Sequence, residues 1–187
     1  MLLDLTKFQF AASVPPAVSR AYAHARLLFD ADEVDKAVDQ LAVRLSVEYQ
    51  NADPVFITLL PDGYVLGGML MRRLVFPLKH RAAHVDASHH PILENARDLA
   101  GRPVIVIAGH LSTAQSQALS HWATQQAILR LSRVVMAGAE MTEHGAGKEA
   151  TLVALTTNAT PWIGCGFEVG GYGANLPGLY QLSTEVG

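Results

Sequence analysis

The chain has 187 residues, half of them hydrophobic and 17% charged, with a net charge of −3. That length suits one domain with a full core, and the composition excludes a disordered chain. The charge leaves no electrostatic footprint for nucleic acid or an anionic membrane, and the lone Cys165 excludes an internal disulfide framework. The opening MLLDLTKFQF lacks a basic start followed by a long apolar core, and no apolar run reaches a membrane-span length. A cytoplasmic protein in a reducing compartment is expected.

Ser13 is a cap candidate for a short helix over residues 14–28, with Pro15 and Pro16 tolerated only in its first turn. Asp30–Ala31–Asp32 starts a clearer helix, in which Val34, Val38, Leu41, Leu45 and Tyr49 share one face. Asn51 to Pro54 stops it. A buried strand is expected over residues 55–60, then a turn at Pro61, Asp62 and Gly63, then a helix over 64–74 packed through Gly67 and Gly68. Residues 75–85 begin another strand, and 86–100 are polar and irregular. Strand, helix, strand in this succession indicates a parallel sheet with crossover helices.

The most informative stretch is RPVIVIAGHLSTAQSQAL, residues 102–119. Val104, Val106 and Ile107 mark a strand buried on both faces, and Ala108–Gly109 ends it. Ser112 and Thr113 stand where an N-cap belongs, ahead of helical spacing over 114–129. A strand, a tight polar loop and a helix start form the local geometry of an anion site. Beyond it lie a strand at 132–138, a flexible loop at 140–149 containing His144–Gly145–Ala146–Gly147, and a strand at 151–155. A glycine-rich segment at 159–173 precedes a last strand at 179–182.

From about Ala31 onward the chain resembles the hypoxanthine-guanine phosphoribosyltransferases. Residues 102–116 are similar to that family's strand followed by acid-acid-x-x-acid-x-Gly-x-Thr. The step Met69-Leu70-Met71-Arg72-Arg73-Leu74-Val75-Phe76-Pro77-Leu78 resembles its L-x-x-R-L-x-x-P, and Gly164-Cys165-Gly166-Phe167-Glu168-Val169 resembles its Gly-Tyr-Gly-x-Asp-Tyr. The resemblance implies an α/β, type I phosphoribosyltransferase-like fold: a central, mostly parallel sheet flanked by helices, with a small C-terminal hood. It implies a domain over residues 31–187 behind an N-terminal helical extension, 1–30.

Laid on this chain, the family's paired acids fall on Ala108 and Gly109, and its third acid on Ser112. Its glycine falls on Ala114 and its threonine on Ser116. The resemblance implies a phosphate-binding set of Ser112, Thr113, Ala114, Gln115 and Ser116, which ordinary N-capping explains equally well. The pyrophosphate loop is implied at Pro61, Asp62 and Gly63, where Asp62 opposes an anion and a plain β-turn accounts for the residues. Trp162 is placed to stack on a base, or is plain core. Glu168 matches the family's metal-associated acid, Ala174 replaces an arginine, and no lysine precedes Lys148 where one contacts the purine. The Ser-Tyr pair of a mobile lid has no tyrosine counterpart in residues 85–99.

Mg²⁺ takes oxygen ligands, and Ala108 and Gly109 offer none from their side chains. Ser112 is no general base near neutral pH; His110 is of the residue type suited to that work but occupies an intervening position. His80, His84, His89 and His90 read either as a metal cluster or as surface histidines. Two functions follow. One is a catalytically impaired homologue, a pseudoenzyme with a binding or regulatory role. Its partners would be a nucleoside monophosphate, phosphoribosyl pyrophosphate, further copies of itself or an active paralogue, with neither nucleic acid nor membrane. The other is an active purine-salvage transferase using Mg²⁺. The first reading requires that no Asp or Glu from elsewhere in the chain replace the missing acids.

Overall fold

The computed structural model describes residues 13–93, 96–139, 142–144 and 149–183. In chain order the elements are α1 (Pro16–His24), β1 (Arg26–Phe29), α2 (Ala31–Tyr49), β2 (Val55–Leu59), α3 (Tyr64–Met71) and β3 (Lys79–Ala83). Then come β4 (Pro103–Ala108), α4 (Thr113–Gln125), β5 (Arg130–Gly138), β6 (Thr142–His144), β7 (Glu149–Thr156), β8 (Trp162–Ile163) and β9 (Leu179–Gln181). The main sheet has the order β3-β2-β4-β5-β7-β6, with five parallel strands and β6 antiparallel at one edge. A second, antiparallel sheet of β1, β9 and β8 forms the hood.

Asp30 starts α2 as a capping box: its carboxylate accepts the Glu33 N–H at 2.9 Å, and the Glu33 carboxylate accepts the Asp30 N–H at 2.8 Å. The expected stripe of Val34, Val38, Leu41, Leu45 and Tyr49 is buried. It packs with Leu66 and Leu70 of α3 on Phe56, Ile105, Ile107 and Val134. The opposite sheet face, with Val55, Ile57, Val104 and Val106, is covered by Leu119 and Trp122 of α4. β2 and β4, buried throughout, lie at the centre of both layers. Arg73 ties α3 to α2 through Asp35 at 2.7 Å and Asp39 at 2.5 Å.

Several local expectations are corrected. The helix expected over 14–28 ends at His24, and residues 26–29 form β1, which pairs with β9 near the far end of the chain. A third core of Val14, Val18, Tyr22, Ile163, Tyr180 and Leu182 seals this joint. The strand expected from Val75 begins at Lys79, and Val75 is 94% exposed. Within the expected 140–149 loop, Thr142–His144 pairs with β7; Glu140, Met141 and residues 145–148 lie outside the described residues. No helix among the described residues is long and apolar enough to cross a membrane.

Only one of the two α3 glycines packs as expected. A Cβ at Gly67 would stand 2.5 Å from Thr58 Oγ1, whereas one at Gly68 would meet nothing within 4 Å. Thr58 has little freedom to yield, since it is buried and hydrogen-bonded to His80 Nε2 at 2.9 Å. Gly67→Ala should therefore destabilise the fold by about 1–3 kcal/mol through overpacking. Gly68→Ala should stabilise it by up to about 1 kcal/mol through helix propensity. Urea unfolding of the two variants checks both signs.

Candidate functional site

In open parallel sheets, ligands bind beyond the carboxyl ends of the strands. Here the loops after β2 and β4 emerge side by side, because Thr58 pairs with Ile107 in register. Their approach leaves little space for side chains at two positions. A Cβ at Gly63 would stand 2.5 Å from the Leu59 carbonyl oxygen and 2.7 Å from that of Ile107. One at Gly109 would meet Asp62 Cβ, carbonyl oxygen and Oδ2, each at 3.0 Å. The hood closes from the other side, where a Cβ at Gly166 (φ +102°) would lie 2.6 Å from the Asp62 carbonyl oxygen. Glycine is required at Gly63 and Gly166, whereas a side chain at Gly109 would need Asp62 to give by a few tenths of an ångström.

Asp62 sits at the middle of this junction. Its partly buried carboxylate faces the backbone N–H groups of His110, Gly109, Gly63 and its own residue, of which the Gly63 N–H donates to the Leu59 carbonyl oxygen at 3.0 Å. Burial pushes the carboxyl above its usual range, while those four donors favour the ionised form. An acid from outside the motif thus stands against Gly109, where the sequence reading leaves a gap. Its oxygens face the amides of the loops, and it does not line the neighbouring cavity.

Beyond the junction, Ser112 caps α4, its Oγ accepting the Gln115 N–H at 3.2 Å while Gln115 Oε1 accepts the Ser112 N–H at 2.8 Å. Ser112, Thr113 and Ser116 line a cavity of about 780 Å³ together with His110, Arg133 and Glu149. Ala114, on the first turn of α4, and Gln115 are not in its wall. The cavity runs from the start of α4 across β5 to β7.

His110 turns away from the α4 start. Its Nδ1 lies 3.1 Å from the Ala137 carbonyl oxygen, and its ring meets Trp162 edge-on, with centroids 5.2 Å apart. Phe167 lies 5.1 Å from the same indole. Trp162 is thus buried between two rings of this chain, and its Nε1 has no hydrogen-bond partner. Glu168 is exposed on the hood turn. Burial pushes the neighbouring Cys165 thiol up to about 12, which leaves it inert at neutral pH. His80 bonds Thr58, and His90 lies 6.2 Å from His121. Among the described residues, no three His, Cys, Asp or Glu side chains gather as metal ligands.

Sequence reasoning missed Arg133. It is fully buried in β5, where Nη2 donates to the Ser116 carbonyl and Glu149 Oε2, both at 2.9 Å, and to Ser120 Oγ. The signal available was a charge, Arg133, set between Leu131–Ser132 and the apolar run VVMAG. Arg133 fixes α4 to β5 and β7, and so shapes the cavity floor. Removing only its counter-charge leaves a buried cation unpaired, so Glu149→Gln should cost about 3 kcal/mol or more. The double variant Arg133→Met, Glu149→Gln should cost less than Glu149→Gln alone, as read by denaturant midpoints.

No protein-family model matches the chain, and no curated protein matches its sequence. Its likeness is to solved structures. Staphylococcus aureus hypoxanthine phosphoribosyltransferase superposes with a TM-score of 0.71 at 16% identity, over 86% of this chain and 94% of that one. Bacillus anthracis hypoxanthine-guanine phosphoribosyltransferase gives 0.71 at 14%, over 86% and 99%. Trypanosoma cruzi hypoxanthine phosphoribosyltransferase, in complex with its product IMP, gives 0.71 at 21%, over 89% and 99%. The chain has the type I phosphoribosyltransferase fold, and hypoxanthine and hypoxanthine-guanine phosphoribosyltransferases are among its solved neighbours.

The Mg²⁺ used with that chemistry does not fit the residues present. Ala108 and Gly109 supply no side-chain oxygen, Ser112 is engaged as a cap, and the Asp62 oxygens face backbone donors. Among the described residues, an octahedral cation that favours carboxylate finds no set of ligands here.

Proposed function

We propose that this chain keeps the phosphoribosyltransferase fold without the transfer reaction and acts as a binding or regulatory module. The observation that carries the reading is the end of β4. Three positions that would bear carboxylates hold Ala108, Gly109 and Ser112. The one acid beside them, Asp62, is held by the loop amides. Transfer of phosphoribose builds positive charge on the sugar and requires a gripped, metal-bound diphosphate. Losing one such electrostatic contact typically costs ~10²–10³-fold in rate, and here several are absent together.

The cavity supports a ligand role. Hydroxyls of Ser112, Thr113 and Ser116 at the start of α4 suit a phosphate monoester. Its size suits a nucleoside monophosphate, the class to which the IMP bound by the Trypanosoma cruzi enzyme belongs. A second copy of the chain, or an active paralogue, is the partner that such a module would regulate.

Purified protein with Mg²⁺, phosphoribosyl pyrophosphate and hypoxanthine or guanine should release no pyrophosphate above the blank. Turnover would establish the alternative, a working purine-salvage transferase. A thermal shift with IMP or GMP, reduced in Ser116→Ala, should accompany the inactivity; equal shifts in both proteins would place the phosphate away from α4.

A further inference from the structure

Two loops that meet at the head of a parallel sheet leave backbone N–H groups pointing into a shared hollow, and such a hollow is a natural anion cradle. In this chain the donors are Gly63, the N-cap of α3, with Gly109 and His110, which follow β4. The Gly63 N–H donates to the Leu59 carbonyl oxygen at 3.0 Å, and the Asp62 carboxylate faces the Gly109 and His110 amides, with Oδ2 3.0 Å from where a Cβ of Gly109 would stand. We infer that the Asp62 carboxylate is the resident anion of this cradle, a built-in plug that keeps diphosphates out. The inference deepens the functional reading above, on which it rests, by naming a residue that closes the site.

Three features make the plug more than a turn residue. First, its donors come from two loops far apart in the chain, so the contact is tertiary and not the local bonding of a Pro-Asp-Gly turn. Second, the space beside Gly109 is filled: a Cβ there would already stand 3.0 Å from Asp62 Oδ2. An acid at position 109 and the Asp62 carboxylate exclude one another sterically and by like charge. Third, the hood packs close behind Asp62, since a Cβ at Gly166 would lie 2.6 Å from its carbonyl oxygen. A diphosphate would have to displace a carboxylate from its hydrogen bonds and then sit beside it.

The test uses the full-length protein and inorganic pyrophosphate, followed by calorimetry. Asp62→Gly should bind pyrophosphate at least ~10-fold more tightly than the wild type, as expected when the unplugged state is no more than about a tenth populated. Equal affinity in the two proteins, or no binding to a folded Asp62→Gly, overturns the inference. Asp62→Asn preserves shape and decides the matter should the glycine variant fail to fold. In its amide NMR spectrum the Gly109 and His110 protons should move upfield as a charged acceptor is lost; if they stay in place, the carboxylate is not their partner and the inference fails. Unmoved amides in an inactive protein would sink the plug alone, whereas turnover by the wild type would sink both, since a diphosphate would then have entered the cradle.

Discussion

The closeness of three backbones governs the upper end of this molecule. The loops after β2 and β4 and the hood turn at 164–167 approach until Gly63 and Gly166 have no room for a Cβ and one at Gly109 would crowd Asp62 at 3.0 Å. Polar backbone brought together in this way must find partners, because unpaired donors away from water are costly. Asp62 supplies the acceptor for several of them at once. The junction is therefore held by packing and by a single side chain whose charge is balanced by loop dipoles.

That arrangement separates fold from chemistry. The sheet is stabilised by the apolar faces of β2, β4 and β5 against α2, α3 and α4, with Arg133 and Glu149 fastening α4 to the strands beneath. None of this requires acids at the strand ends. A scaffold of this kind tolerates complete change at its catalytic edge, which is why the fold is evident while the activity must be argued from the site. The rings of His110, Trp162 and Phe167 pack on one another, leaving the α4 start and the floor over β5 and β7 as the open part of the cleft.

Much of the framework was legible because its determinants are local. The periodicity of α2, the Asp30 and Ser112 caps, and the unbroken apolar runs of β2 and β4 each announce themselves within a few residues. The failures share the opposite property. β1 becomes a strand only because β9 lies beside it, and Thr142–His144 only because β7 does. Arg133 and Glu149 look like unrelated charges until two strands pair. Asp62 could be read as opposing an anion, but its acceptance of the Gly109 and His110 amides depends on the register of β2 with β4. Spacing alone does not reveal that.

A double-mutant cycle between Asp62 and Gly109 reads their contact as energy. Gly109→Ala should be destabilising in the wild type and less so once Asp62→Gly has cleared Cβ and Oδ2 from its path. A coupling above about 0.5 kcal/mol is expected, beyond the limit within which independent sites add. Strict additivity of the two substitutions would contradict it, for the carboxylate would then not occupy the head of the cleft.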